Sequence, residues 1–134
     1  MKDPRFLNVK QIIQLHEFLL QEFGGSSGLR DIGLLESAGA MPSMGFGDQY
    51  LHQDLFEMAA AYLFHLVKNH PFVDGNKRIG TVAALEFLDL NGVWIEVDEK
   101  ELEKFVWDVA AGVHGKDAIK TFLKTHAIEA SGSK

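Results

Sequence analysis

Leu55-Phe56-Glu57-Met58-Ala59-Ala60-Ala61-Tyr62-Leu63-Phe64-His65-Leu66-Val67 is apolar at nearly every position around a helix, and a helix of that kind lies at the centre of a bundle. Asp54 with Glu57 supplies its start signal, and Lys68 and Asn69 end the apolar run. A second helix of the same character, about Asn76 to Leu90, carries Val82, Ala83, Ala84, Leu85, Phe87, Leu88 and Leu90 and stops at Asn91-Gly92. These two helices are expected to pack against each other and to present whatever joins them.

What joins them is His70-Pro71-Phe72-Val73-Asp74-Gly75-Asn76-Lys77-Arg78-Ile79-Gly80, a loop entering a helix. The first turn of a helix has amides without intrahelical partners and the positive end of the macrodipole, and both favour an anion. Gly75 lets the backbone approach closely, and Asn76 can adopt unusual dihedrals or hold the turn through its side-chain amide. Lys77 and Arg78 bring a mobile charge and a planar fork to phosphate oxygens. Asp74 is the natural magnesium ligand, because Mg²⁺ in phosphoryl-transfer sites is held by one or two carboxylates plus the phosphates. His70 is the candidate general base, since imidazole titrates near operating pH. Pro71 biases His70 towards an extended backbone, and Phe72 is expected to point into the core. A GNKR turn alone is an ordinary basic surface turn; base, acid, glycine and cations in one order across a helix boundary have no packing explanation.

Outward from this centre the pattern stays helical. Asn8 with Gln11 reads as a capping box for a helix whose apolar face runs from Val9 to Leu20 and which ends at Gly24. A short helix spans about Asp31 to Ala38. Between Gly39 and His52 a glycine-rich, irregular loop carries Met41, Met44, Phe46 and Tyr50, and is a candidate lid. Val93 to Val97 reads as extended, Asp98 with Glu101 caps a helix burying Leu102, Phe105, Val106 and Val109, and a last helix runs from about Lys116 to Ala127. The expectation is an all-α domain of about six helices over residues 1–129, with 130–134 as a tail.

The 134 residues suffice for one core, and 46% hydrophobic residues supply it. A formal charge of −6 without a basic stripe argues against direct nucleic-acid binding. Cysteine is absent, which excludes a disulfide framework and a thiolate zinc site and favours a reducing cytoplasm. Met1 to Arg5 leads into an amphipathic segment, so no signal peptide is expected, and the run from Leu55 to Val67 is too short for a bilayer, so no membrane is expected as partner. His16 and His65 read as core or core-edge groups, and His52, His114 and His126 as surface or cap residues. Arg30 with Asp31 reads either as an ion pair at a helix start or as part of a protein-binding edge.

The loop resembles the signature of the Fic/Doc family, commonly His-Pro-Phe-x-x-Gly-Asn-Gly-Arg-x-x-Arg. Lys77 stands where most Fic proteins have the second glycine and Thr81 where they have the final arginine, and both departures resemble the Doc, or death-on-curing, branch. Phe23-Gly24-Gly25-Ser26, Gly28-Leu29-Arg30-Asp31 and Gly33-Leu34-Leu35-Glu36-Ser37-Ala38 are similar to that branch too, as is Asn69 read with the loop. Ile79 and Gly80 depart mildly and are expected to alter packing only.

The resemblance implies a helical fold with the glycine-rich loop as a flap that aligns the target peptide. It implies the toxin of a type II toxin–antitoxin module of the bacterial cytoplasm, restrained by a cognate antitoxin. The implied activity is Mg-ATP-dependent serine/threonine kinase chemistry, moving the γ-phosphoryl group to a hydroxyl of a translation factor, elongation factor Tu, and arresting translation. Its implied cofactors are ATP and Mg²⁺, with His70, Lys77 and Arg78 catalytic, Gly75, Asn76, Lys77 and Arg78 on the phosphates, and Asp74 on the metal. Fic proteins that transfer AMP keep the same base and metal ligand, so AMP transfer is the alternative, and an inactive helical binding module is a second. Thr125 to Ala130 matches imperfectly the inhibitory helix of some Fic proteins, and without the second arginine the match reads as chance.

Overall fold

The structure is a computed structural model describing residues 3–129; Met1, Lys2 and the expected tail 130–134 lie outside the described residues. Six helices occur in this range: α1 (Val9–Phe23), α2 (Ile32–Ala40), α3 (Leu55–Asn69), α4 (Asn76–Leu90), α5 (Glu99–Ala110) and α6 (Lys116–Thr125). The architecture is all-α, as the sequence predicts.

Capping explains most of the boundaries. Asn8 and Gln11 form the reciprocal box at α1, and the carboxylates of Asp31, Asp54 and Asp98 accept first-turn amides of α2, α3 and α5. Helices α4 and α6 begin instead at Gly75 and Gly115, with no side-chain cap.

The core sits around α3, which is buried without a break from Met58 to Leu63 and packs most extensively on α4, then on α6 and α2. Gly80 makes the α3–α4 contact close: a Cβ there would lie 2.9 Å from Val67 Cγ2 and 3.2 Å from the Leu63 carbonyl. Its departure from the family pattern is therefore a packing feature. Tyr62 crosses the core to Leu7, accepting from its amide at 2.8 Å and donating to its carbonyl at 3.1 Å. Burial pushes the Tyr62 phenol up to about 12, so it remains a neutral donor.

The loop after α2 is more ordered than its glycines suggest. It folds into an antiparallel hairpin, β1 (Gly45–Phe46) with β2 (Gln49–Tyr50), whose Phe46 side chain is 92% exposed. At the far end, β3 (Val93–Ile95) pairs with β4 (Ala127–Glu129). The last helix thus stops at Thr125, two residues short of the expected Ala127, because the chain turns at His126 to join a strand. The inhibitory-helix match falls across that turn. No helix among the described residues is long and apolar enough to cross a membrane.

Candidate active site at the amino terminus of the fourth helix

The stretch from His70 to Gly80 divides into a pinned loop and the first turns of α4. Phe72 is buried as expected and stacks on His16, with ring centroids 3.7 Å apart and planes within 9°. His16 Nε2 lies 2.8 Å from the Asp74 carbonyl, which fixes that nitrogen as the donor. Asn76 holds the turn through its side-chain amide: Oδ1 accepts from the Phe72 amide at 3.0 Å and Nδ2 donates to the Phe72 carbonyl at 2.9 Å. Its backbone is ordinary helix, so of the two roles open to Asn76 the structure shows the second.

Gly75 is the N-cap residue at φ 80°, a left-handed conformation that a side chain resists. This turn leaves the amides of Asn76, Lys77 and Arg78 without hydrogen-bond partners among the described residues. No acid occupies the first turn of α4, and two cations do. Each cation rests on an exposed ring: Lys77 Nζ lies 4.3 Å from the Trp107 centroid and Arg78 Cζ 4.3 Å from the Phe23 centroid. Such contacts are worth about 0.5–1 kcal/mol at exposed positions. A phosphate can therefore displace them readily.

Asp74 is exposed and oriented from both sides. Its Oδ2 accepts from the Ser26 amide at 3.1 Å and its Oδ1 from the Gly75 amide at 2.8 Å. These bonds, Ser26 first, hold its carboxyl below the usual carboxylate range. Each oxygen keeps an unused lone pair. No group of three or more metal-ligating side chains occurs among the described residues. The donor set fits a hard divalent ion that arrives with phosphates and takes one protein carboxylate.

His70 corrects the sequence reading. It is the C-cap residue of α3 at φ 52°, ψ 54°, left-handed rather than extended. Its amide donates to the Leu66 carbonyl at 3.3 Å, and ending the helix this way overrides the preference of a residue before proline. The side chain is exposed beside the loop.

The segment 24–31 is the part of the site that the sequence reading missed. Val73 donates to the Gly28 carbonyl at 3.0 Å, Leu29 bridges to Phe72, and the Arg30 and Asp31 amides donate to the Pro71 carbonyl at 2.7 and 3.0 Å. The Arg30 guanidinium closes on the end of α3, with Nε 2.7 Å from the His70 carbonyl and Nη2 3.0 Å from that of Asn69. It is thus not in an ion pair with Asp31, which caps α2, although the residue stays exposed. Gly25 takes φ 121°, a conformation that a side chain resists, and a Cβ there would lie 2.9 Å from Asp74 Oδ2.

The remaining histidines sort differently from expectation in one case. His52, expected at the surface, is buried and meets the half-buried His65 around Lys116, whose Nζ lies 3.4 Å from His52 Nε2 and 3.2 Å from His65 Nε2. An ammonium only donates, so both Nε2 atoms accept and both imidazoles are neutral. Burial and then the Lys116 charge pull His65 down to about 4 and lower His52 as well.

Comparison with known proteins places these features in context. The profile of the Fic/DOC family matches residues 6–88. Over 76 residues, 57% of this chain, the sequence is 43% identical to Toxin Doc of Mycolicibacterium smegmatis, and the match spans 58% of that relative's length. Over 108 residues, 81% of this chain and 84% of the relative, it is 32% identical to Protein kinase doc of Escherichia phage P1.

Proposed function

Because this chain belongs to the Fic/DOC family, and to its Doc branch, we propose that it is the toxin of a toxin–antitoxin module and acts as a protein kinase on a translation factor, elongation factor Tu. ATP is the phosphoryl donor. The observation that carries this reading is the start of α4: three amides without partners among the described residues and two cations stand beside an ionised carboxylate.

In this reading the amides of Asn76 to Arg78, with Lys77 and Arg78, bind the nucleotide's phosphate oxygens. Asp74 would hold the magnesium ion, whose chemistry when bound is neutralisation of phosphate charge. His70 accepts the proton of the acceptor hydroxyl at a ring nitrogen as that oxygen bonds to the γ-phosphorus. The bond from the γ-phosphorus to the β,γ-bridging oxygen breaks, and ADP leaves. The residues contribute mainly positioning and charge neutralisation.

Lys77 and Thr81 favour γ-phosphoryl over AMP transfer. An ammonium where other branches have glycine changes the phosphate subsites. Thr81 Oγ1 turns back to the Lys77 carbonyl at 2.8 Å and offers no second clamp. Restraint comes in trans from an antitoxin segment that folds on binding, consistent with an α6 that ends at Thr125 and is followed, among the described residues, by a strand.

The test is incubation with elongation factor Tu, or a bacterial lysate, and ATP labelled at the γ- or the α-phosphate. Label from γ alone is expected, and His70→Ala should lower transfer by about 10²–10⁴-fold while nucleotide still binds. Label from α alone would make the protein an AMP transferase, and no label from a folded protein would make it a binding module.

A further inference from the structure

We propose that Arg30 is a positioning residue of the transfer site: its guanidinium, closed on the carbonyls of Asn69 and His70, holds His70 in the left-handed conformation from which the ring is presented. The inference rests on reading His70 as the base.

The backbone explains why an external group is needed. Helix α3 ends in a left-handed residue, the position that glycine usually fills. His70 is the only non-glycine residue with positive φ among those described. The usual closing bond from the next amide is unavailable here, because Pro71 has no N–H. The terminal carbonyls of α3 are left without their customary donor at the negative end of the helix dipole. Arg30 reaches both from a segment forty positions earlier, with Nε at 2.7 Å and Nη2 at 3.0 Å.

The clamp has two layers. The Arg30 and Asp31 amides bind the Pro71 carbonyl on the far side of His70, so the residue is held by its own carbonyl and by the peptide that follows. The fork matters as well as the charge. Two carbonyls at successive residues match the planar guanidinium, and an ammonium on a flexible stem reaches them without fixing their relative direction. A rotation of His70 about φ or ψ swings the whole ring, and misplacement by about 1 Å costs roughly 10²-fold in rate.

Arg30→Met is compared with Arg30→Lys, Arg30→Gln and the remote control Asn91→Ala, which loosens the amino-terminal segment by removing the contacts to Arg5. Two readouts are taken on each full-length protein. The first is phosphoryl-transfer kinetics. Arg30→Met should lower kcat by roughly 10²-fold with nucleotide KM within about twofold, Lys and Gln should fall between, and Asn91→Ala should behave as wild type. The second is the backbone coupling and Cα shift of residue 70 by NMR, which report φ without any need for activity. Loss of the left-handed signature in Arg30→Met is expected.

An unchanged signature overturns the proposal whether or not the enzyme turns over, as does an altered signature with unaltered kcat. An altered signature in a protein whose wild type transfers nothing supports the clamp and refutes the kinase reading separately. Should Arg30→Met not fold, Gln and Lys carry the same two readouts.

Discussion

Helices α4 and α6 both begin at a glycine without a side-chain cap, yet their first turns are built oppositely. At α6, Gly115 is extended, Asp117 complements the helix dipole, and Lys116 turns inward to two neutral imidazoles. At α4, Gly75 is left-handed, no acid is present, and Lys77 and Arg78 stand at the end of the helix where positive charge is already in excess. The four other helices use Asn or Asp to satisfy their first amides. Helix α1 also carries a cation, Lys10, and no acid in its first turn, but Asn8 caps it. Among the described residues only α4 combines two first-turn cations with neither an acid nor a side-chain cap, in surroundings pinned by hydrogen bonds. A rule broken inside a well-determined frame marks function, since an arriving anion repairs it.

The contrast can be strained first with acid. His52 and His65 titrate lower in the folded protein than their ordinary 6.5, so the unfolded chain takes up protons that the folded chain refuses. Stability is therefore full above about pH 6.5 and falls as pH drops towards the value of about 4 at His65. Much of that window lies above the range in which Asp74 and Glu57, both held low, are protonated. Thermal unfolding between pH 7.5 and 5 should show a falling Tm, and His65→Gln should flatten it. A flat wild-type curve would mean that the α6 end is not held by neutral imidazoles.

Smaller effects should come from the two cap glycines, and with opposite signs. Gly75→Ser places a Cβ at φ 80°, 3.4 Å from His16 Nε2, and should cost about 1–2 kcal/mol. Gly115→Asp meets nothing within 4 Å at an extended φ. It should be neutral or stabilising by a few tenths to about 1 kcal/mol, since aspartate caps better than glycine. Denaturant unfolding checks both, and equal effects would erase the distinction drawn between the two ends.

The sequence disclosed what is encoded locally. Capping residues and apolar faces located all six helices to within a few positions, and the order of groups from His70 to Arg78 located the candidate site. Val93 to Val97 was legible as extended and holds β3, but the hairpin at Gly45–Tyr50, the strand β4 and its pairing with β3 were not, because strands of two or three residues carry no alternation to detect. Nor was the Arg30 clamp. Its acceptors are main-chain carbonyls, which have no signature in the sequence and lie thirty-nine and forty positions away. The same holds for His16 beneath Phe72. His70 was misread because a helix end, a tertiary feature, outweighed the local effect of Pro71.

The central claim is that the start of α4 takes the phosphates, and amide chemical shifts during titration with Mg-ATP test it most directly. The account predicts large, saturable shifts at Asn76, Lys77 and Arg78, reduced in Lys77→Met, with little change at Lys116 to Ala118. Saturable shifts at α6 with none at α4, or no shifts at either end, would contradict it.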